Sequence, residues 1–210
     1  MDVNLIDHMG TDLTVVNAAR VSFNKKKEEL DAGDIRLISY LGRHKHLSPF
    51  GHCFATFRVR APIYVARQLV KHKFLRWNEI SRRYVNETPE LHWPFKWRKQ
   101  AEDKKQGSGE DMDLDVNIHN STLQHELHSI KLYEYLLKRG VCEEQARMVL
   151  PQNMLTEWYW SGSLDAFADM CNLRLKEDTQ YETRNIAKEI SKHMSTNYPH
   201  SWNALTGSSS

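Results

Sequence analysis

Cysteine is scarce in this sequence. Cys53, Cys142 and Cys171 are odd in number and far apart, with no CxxC pair, so no disulfide framework is available. Free thiols suit a reducing compartment, and a cytoplasmic location is expected. Each cysteine falls in a segment that reads as strand or helix, so all three are expected in the core. Long apolar runs are missing too: nothing approaches the ~18 consecutive apolar residues of a membrane-spanning helix. The opening MDVNLIDHMG has neither the basic start nor the apolar stretch of a signal peptide. Glycine-rich Rossmann and P-loop patterns are absent, and so is the GxSxG nucleophile elbow. Net charge is small, +2, which excludes a general nucleic-acid coat and makes any basic site local.

What remains is an ordinary globular composition, 40% hydrophobic and 27% charged, over 210 residues. That length suits one domain with its own core, taken as residues 1–206 with 207–210 as a flexible tail. Residues 3–6 read as a strand and 12–20 as a short helix. In DAGDIRLISYLGRH, Ile35, Ile38 and Leu41 recur at helical spacing, with Gly42 as the stop. Cys53, Ala55, Phe57 and Val59 alternate with polar or aromatic neighbours, the period of a strand. Pro62 then opens a helix, PIYVARQLVKHK, whose basic stripe includes Arg67 and Lys71. Residues 86–110, with Pro89, Pro94, Gly107 and Gly109, form a long loop. The second half reads as helices: one with Leu123, Leu127, Ile130 and Leu137 on a face, then CEEQARMVLP, TEWYWSGSLDAFADMCNLRL and TQYETRNIAKEISKHM. The fold class expected is α+β, a small antiparallel or mixed sheet with a helical bundle packed around it.

The densest chemistry lies in residues 68–84, QLVKHKFLRWNEISRRY. Lys71, His72, Lys73, Arg76, Arg82 and Arg83 crowd around a single glutamate, Glu79. Like charges at that density repel unless they are solvated or an anion sits among them. Arg67, Gln68, Ser81 and Arg83 are donors suited to a phosphate monoester. Asn78 and Glu79 add acceptors, a mixture suited to a heterocycle with carbonyl and N–H groups. In HKHLSPFGH, His44, His46 and His52 lack a fourth ligand at a zinc spacing, so no metal is expected. Ser48 to Gly51 reads as a turn into the strand. WPFKWRKQ interleaves Trp93, Phe95 and Trp97 with Lys96, Arg98 and Lys99. It is either a nucleic-acid surface or a lid that packs its tryptophans on the body, and the lid is favoured. No nucleic acid and no membrane are expected as partners.

These motifs together resemble the flavin-dependent thymidylate synthases. That family's signature is Arg-His-Arg, seven residues, then Ser, within a pattern ending Asn-Glu-x-Ser-x-Arg-Tyr. Here the spacing reads Lys71-His72-Lys73, FLRWNEI, Ser81, and the end is Asn78-Glu79-Ile80-Ser81-Arg82-Arg83-Tyr84. AARVSF, HKHLSPFGH, FRVRAPIYVARQ, ARMVLPQN and NLRL with TQYE also have counterparts in order, over nearly the whole chain.

The resemblance implies methylation of dUMP to dTMP, with methylenetetrahydrofolate as carbon donor, NADPH as reductant and FAD as cofactor. It also implies a homotetramer with shared active sites. By the same resemblance, Gln68, Glu79, Ser81, Arg83, Arg147 and Arg174 bind dUMP, with Arg174, Ser81 and Glu79 the catalytic set. Ser22, His46, Ser48, Lys71, His72, Lys73 and Glu79 line the flavin and folate side. Both signature arginines are lysines here, which keeps charge but loses the bidentate fork. Ser163, Asp165 and Asp169 stand where some relatives place Asn or Arg against the flavin, and no role is carried over to them. These departures keep a second product in view, a 5-hydroxymethylated pyrimidine nucleotide. A nucleic-acid-binding module is the alternative of another class.

Overall fold

A computed structural model of the chain describes residues 1–102 and 107–207. Strand β1 (Asp2–Met9) leads through Gly10 into α1 (Asp12–Arg20), which ends in a short 3-10 turn at Val21–Phe23. Helix α2 (Ala32–Arg43) follows, and a 3-10 turn at Ser48–His52 feeds β2 (Phe54–Pro62). Helix α3 (Ile63–Leu69) and β3 (Leu75–Glu79) enclose the Lys-His-Lys turn. Strands β4 (Trp97–Arg98) and β5 (Asp111–Met112) pair with each other, ahead of the long α4 (Val116–Lys138) and the one-turn α5 (Glu143–Ala146). Strand β6 (Leu155–Ser163) runs straight into α6 (Leu164–Arg174), and α7 (Tyr181–Asn197) and α8 (Pro199–Thr206) complete the chain.

The main sheet has the order β1-β2-β6-β3 and every pairing is antiparallel. This is the α+β arrangement expected. Ala55, Phe57, Val59 and Ala61 of β2 point to one face with Trp158 and Trp160 of β6, and all are buried. Trp77 of β3 stacks on Trp158 at 4.3 Å and meets Trp160 edge-on at 5.7 Å. Such pairs add ~0.5–1.5 kcal/mol beyond the area they bury. Helices α6, α7 and α8 supply Phe167, Ile190, Met194 and Trp202 to the same core. The opposite sheet face is polar: Arg58 meets Glu157 at 2.6 Å, and the Thr56 and Ser161 hydroxyls lie 3.0 Å apart. Asp12 ties the two ends of the chain, its carboxylate accepting the amides of His200 and Ser201 at 3.0 and 2.9 Å at the start of α8.

Several local expectations are overturned. Residues 155–163 are strand, not helix, with Thr156, Trp158, Trp160 and Gly162 alternating inward. Gly42 does not stop α2. It lies inside the helix where α8 crosses, and a Cβ there would stand 2.5 Å from the Ala204 carbonyl oxygen. Pro62 is extended (φ −62°, ψ 151°) and precedes α3, which ends at Leu69 rather than continuing through Lys73. On α4 the buried side chains are Glu126, Ser129 and Tyr133, while Leu127 is exposed. Cys142 is exposed at the start of α5, so only Cys53 and Cys171 are core thiols. Burial pushes the Cys53 thiol up to about 12. The expected tail is residues 207–210: Gly207 caps α8 with a φ of +66°, and 208–210 lie outside the described residues.

Candidate active site

The turn between α3 and β3 carries Lys71, His72 and Lys73 and then Phe74, a non-glycine residue with φ of +63° that is largely exposed. Glycine at 162 lets this turn lie on β6, because a Cβ there would meet Leu75 Cδ2 at 2.3 Å and the Phe74 carbonyl oxygen at 3.2 Å. Lys71 and Lys73 are exposed, and neither they nor Arg76 meets a carboxylate among the described residues. Unpaired cations on a tight turn are the donor set that a phosphate-bearing cofactor such as FAD requires, and to that extent the residues fit it.

Alternation along β3 puts Leu75, Trp77 and Glu79 on the helix-covered face. Glu79 is held there by three donors. Thr156 Oγ1 donates to Oε1 at 2.9 Å, while Trp77 Nε1 and Arg67 Nη1 donate to Oε2 at 3.1 and 3.3 Å. Thr156, at 7% exposure, is a partner of Glu79 that sequence reasoning missed. Misreading β6 as helix hid it, since only strand pairing brings Thr156 beside Glu79.

Glu79 lines a cleft of about 700 Å³ with Arg58, Arg60, Arg67, Arg82 and Arg147. Four of these arginines are engaged: Arg58 with Glu157 at 2.6 Å, Arg60 with Glu90 at 2.7 Å, Arg67 with Glu79, and Arg82 with the Glu87 carbonyl. Arg147 donates only to the Glu144 carbonyl, at 3.2 Å, and meets no carboxylate among the described residues.

A second cleft, of about 650 Å³, is lined by Gln68, Arg98, Arg174 and Lys176. Arg174, at the last turn of α6, donates its Nε–H to His72 Nε2 at 2.9 Å and an Nη2–H to the Gln68 carbonyl at 3.2 Å. Gln68's own amide is engaged by α7: Thr183 donates to its oxygen at 3.1 Å and its nitrogen donates to Gln180. Burial first, and then the charge of Arg174, bring the His72 imidazole down to about 4, so it is neutral at physiological pH.

Elsewhere, Arg83 turns its Nε–H to Ser81 Oγ at 3.3 Å and stacks over Tyr84, and neither Ser81 nor Arg83 lines either cleft. Ser22, His46 and Ser48 are exposed on or beside the 3-10 turns that follow α1 and α2. The His46 ring stacks on His44 and on Tyr40, while His44 lies tilted against Tyr40, and no His/Cys/Asp/Glu group among the described residues is arranged for a metal. On α6, burial and then the neighbouring Asp165 raise the Asp169 carboxyl from its ordinary value, and Lys45 partly offsets this. In the WPFKWRKQ stretch, the cations meet carboxylates: Lys96 meets Asp113 at 2.8 Å, Arg98 meets Glu182 at 2.6 Å and Lys99 meets Glu110 at 3.5 Å. Of these pairs only Arg98 with Glu182 is largely buried, and the Phe95 ring in the same stretch is exposed.

Known proteins share this sequence and architecture. The family model described as "Thymidylate synthase complementing protein" matches residues 4–200. A flavin-dependent thymidylate synthase of Thermus thermophilus is 40% identical over 97% of this chain and 74% of its own length. That of Thermotoga neapolitana is 37% identical over 97% and 89%. Among solved structures, a UMP/dUMP methylase, PolB from Streptomyces cacaoi bound with 5-Br dUMP, superposes with a TM-score of 0.87 at 29% identity, covering 98% of this chain and 94% of that one. The chain belongs to the thymidylate synthase complementing protein family.

Proposed function

We propose that this protein is a flavin-dependent thymidylate synthase. It methylates dUMP at C5 to give dTMP, with methylenetetrahydrofolate as carbon donor and NADPH as reductant. Family membership supports the reaction class. The observation that carries the assignment of chemistry to residues is Arg174. Its guanidinium is anchored through two of its five N–H donors, which leaves three for a ligand in the cleft it lines.

Carbon–carbon bond formation at C5 requires negative charge to build on the uracil ring. A fixed guanidinium beside a ring carbonyl stabilises that charge without having to reorganise. Arg147, unpaired with any carboxylate among the described residues, and Ser81 with Arg83 hold the nucleotide phosphate. Glu79, fixed by Thr156, Trp77 and Arg67, orients the nucleoside. Gln68 reaches the nucleotide by exchanging its bond to Gln180. Lys71 and Lys73 hold the flavin phosphates as point charges, and His46, Ser48 and Ser22 border the flavin and folate. Bound FAD supplies the electrons that reduce the transferred one-carbon unit to a methyl group.

Glu79 and Arg147 line one cleft while Gln68 and Arg174 line the other, and neither of these two clefts contains the whole dUMP set. A homotetramer with active sites shared between subunits accounts for this division. It also accounts for the exposure of Val21, Phe23, Phe95, Val116 and Met148.

The test is spectroscopic. Purified protein should show a flavin band that bleaches on anaerobic addition of NADPH, faster with dUMP present. Mass spectrometry of the turnover product should give dTMP, whereas a product one oxygen heavier would establish hydroxymethylation instead. Protein that is colourless and takes up no added FAD would overturn the reading.

A further inference from the structure

Most family-like residues in the basic turn point to solvent, but His72 does not. It lies partly buried between the end of α3 and the last turn of α6, and its Nε2 faces the Arg174 Nε at 2.9 Å. Because Arg174 always donates, Nε2 must accept, which puts the His72 proton on Nδ1. The Gln68 carbonyl, among the last four of α3, is open to a donor from outside the helix and receives the second bond, from Arg174 Nη2 at 3.2 Å. Two acceptors from one helix end therefore grip one edge of the guanidinium. The helix C-terminus also carries partial negative charge, which favours a cation there.

We propose that His72 is a positioning residue acting through Arg174: with the Gln68 carbonyl it fixes the guanidinium plane, so that the remaining three N–H donors meet the nucleotide. This rests on the reading of that cleft as the dUMP site. It gives His72 a task different from the flavin contact that the sequence resemblance implied. Among the described residues, the charged group acting on His72 is Arg174, from α6, and Lys71 and Lys73 on its own turn are exposed. A fixed guanidinium binds without first losing side-chain entropy, which is the advantage of preorganisation.

The test compares the unaltered flavin-loaded protein with His72→Ala and His72→Gln, since the Gln carbonyl oxygen restores an acceptor where Nε2 stands. Three quantities are read: dUMP affinity by calorimetry, flavin content by absorbance, and the Arg174 Nε–H resonance by nitrogen-15 NMR. His72→Ala should weaken dUMP binding about tenfold or more, as loss of a hydrogen bond to a charged group does, with flavin content unchanged and the Arg174 signal lost or broadened. His72→Gln should recover most of the affinity and the signal. In the unaltered protein, affinity should fall as pH drops towards about 4, because protonated His72 cannot accept and repels Arg174; His72→Gln should lack that component. Flavin loss at unchanged dUMP affinity in His72→Ala, or a Gln variant no better than the Ala one, would overturn the proposal. If the unaltered protein binds no dUMP while its Arg174 signal still depends on His72, the nucleotide reading fails and the side-chain coupling stands.

Discussion

At the scale of single residues, the site is built from acceptors and donors that hold one another. Glu79 is the clearest case, since a carboxylate among many cations has many partners to choose from. Thr156 Oγ1 bonds one oxygen, and Trp77 and Arg67 bond the other, so the side chain has one orientation. Replacing Thr156 by Val keeps shape and burial but removes the donor to Oε1. A hydrogen bond to a charged group is worth ~1.5–3 kcal/mol, so kcat/KM for dUMP should fall about tenfold or more. Flavin content and melting temperature should change little. Steady-state kinetics of that variant decide it, and unchanged kinetics would mean that Arg67 and Trp77 suffice to hold Glu79. The cluster at residues 67–83 was legible in the sequence because charge density is a local property. Thr156 was not, because its role depends on register: Glu79 opposes Trp158, and Thr156 lies two residues earlier on β6 on the same face.

At the scale of elements, the period of two exposed β2 in the sequence because its outward neighbours include Thr56, Arg58 and Arg60. Strand β6 carries the same period, but Trp158, Tyr159 and Trp160 are consecutive aromatics, which blurs the contrast between faces. It also enters α6 without a turn, Ser163 ending the strand and preceding the helix. Nothing local marks that boundary. Gly42 misled in the opposite way, since a glycine near a helix end normally signals a stop. Here it is a packing residue, and the backbone of α8 occupies the space a side chain would need. Gly42→Ala should therefore destabilise the protein by ~1–3 kcal/mol through overpacking, against the ~1 kcal/mol gain that alanine brings to an open helix. Denaturant titration gives the sign directly, and a stabilised variant would show that α2 and α8 separate easily.

At the scale of the whole molecule, the basic cluster explains itself only if ligands and neighbours are counted. Arg67 and Gln68 are consecutive on α3, about 100° apart around its axis, and each lines a different cleft. The clefts therefore lie on different sides of one helix, and a single nucleotide cannot be assumed to touch both within one chain. A closed symmetric assembly would resolve this by letting one subunit's Arg147 face another subunit's Arg174. The expectation is open to a mixing test. Chains bearing Arg147→Ala and chains bearing Arg174→Ala should each be nearly inactive alone. If the two arginines of one site come from different subunits, random reassembly of an equal mixture makes roughly a quarter of the sites intact, and activity should return to about that fraction. If both come from the same chain, every site in the mixture carries a lesion and no activity returns. Shared sites would also offer a cover for an apolar residue that one chain leaves exposed, such as Val116. Where a neighbouring subunit covers it, charging that residue, as in Val116→Glu, should abolish recovery along with assembly, because an unpaired carboxylate would be buried in the contact.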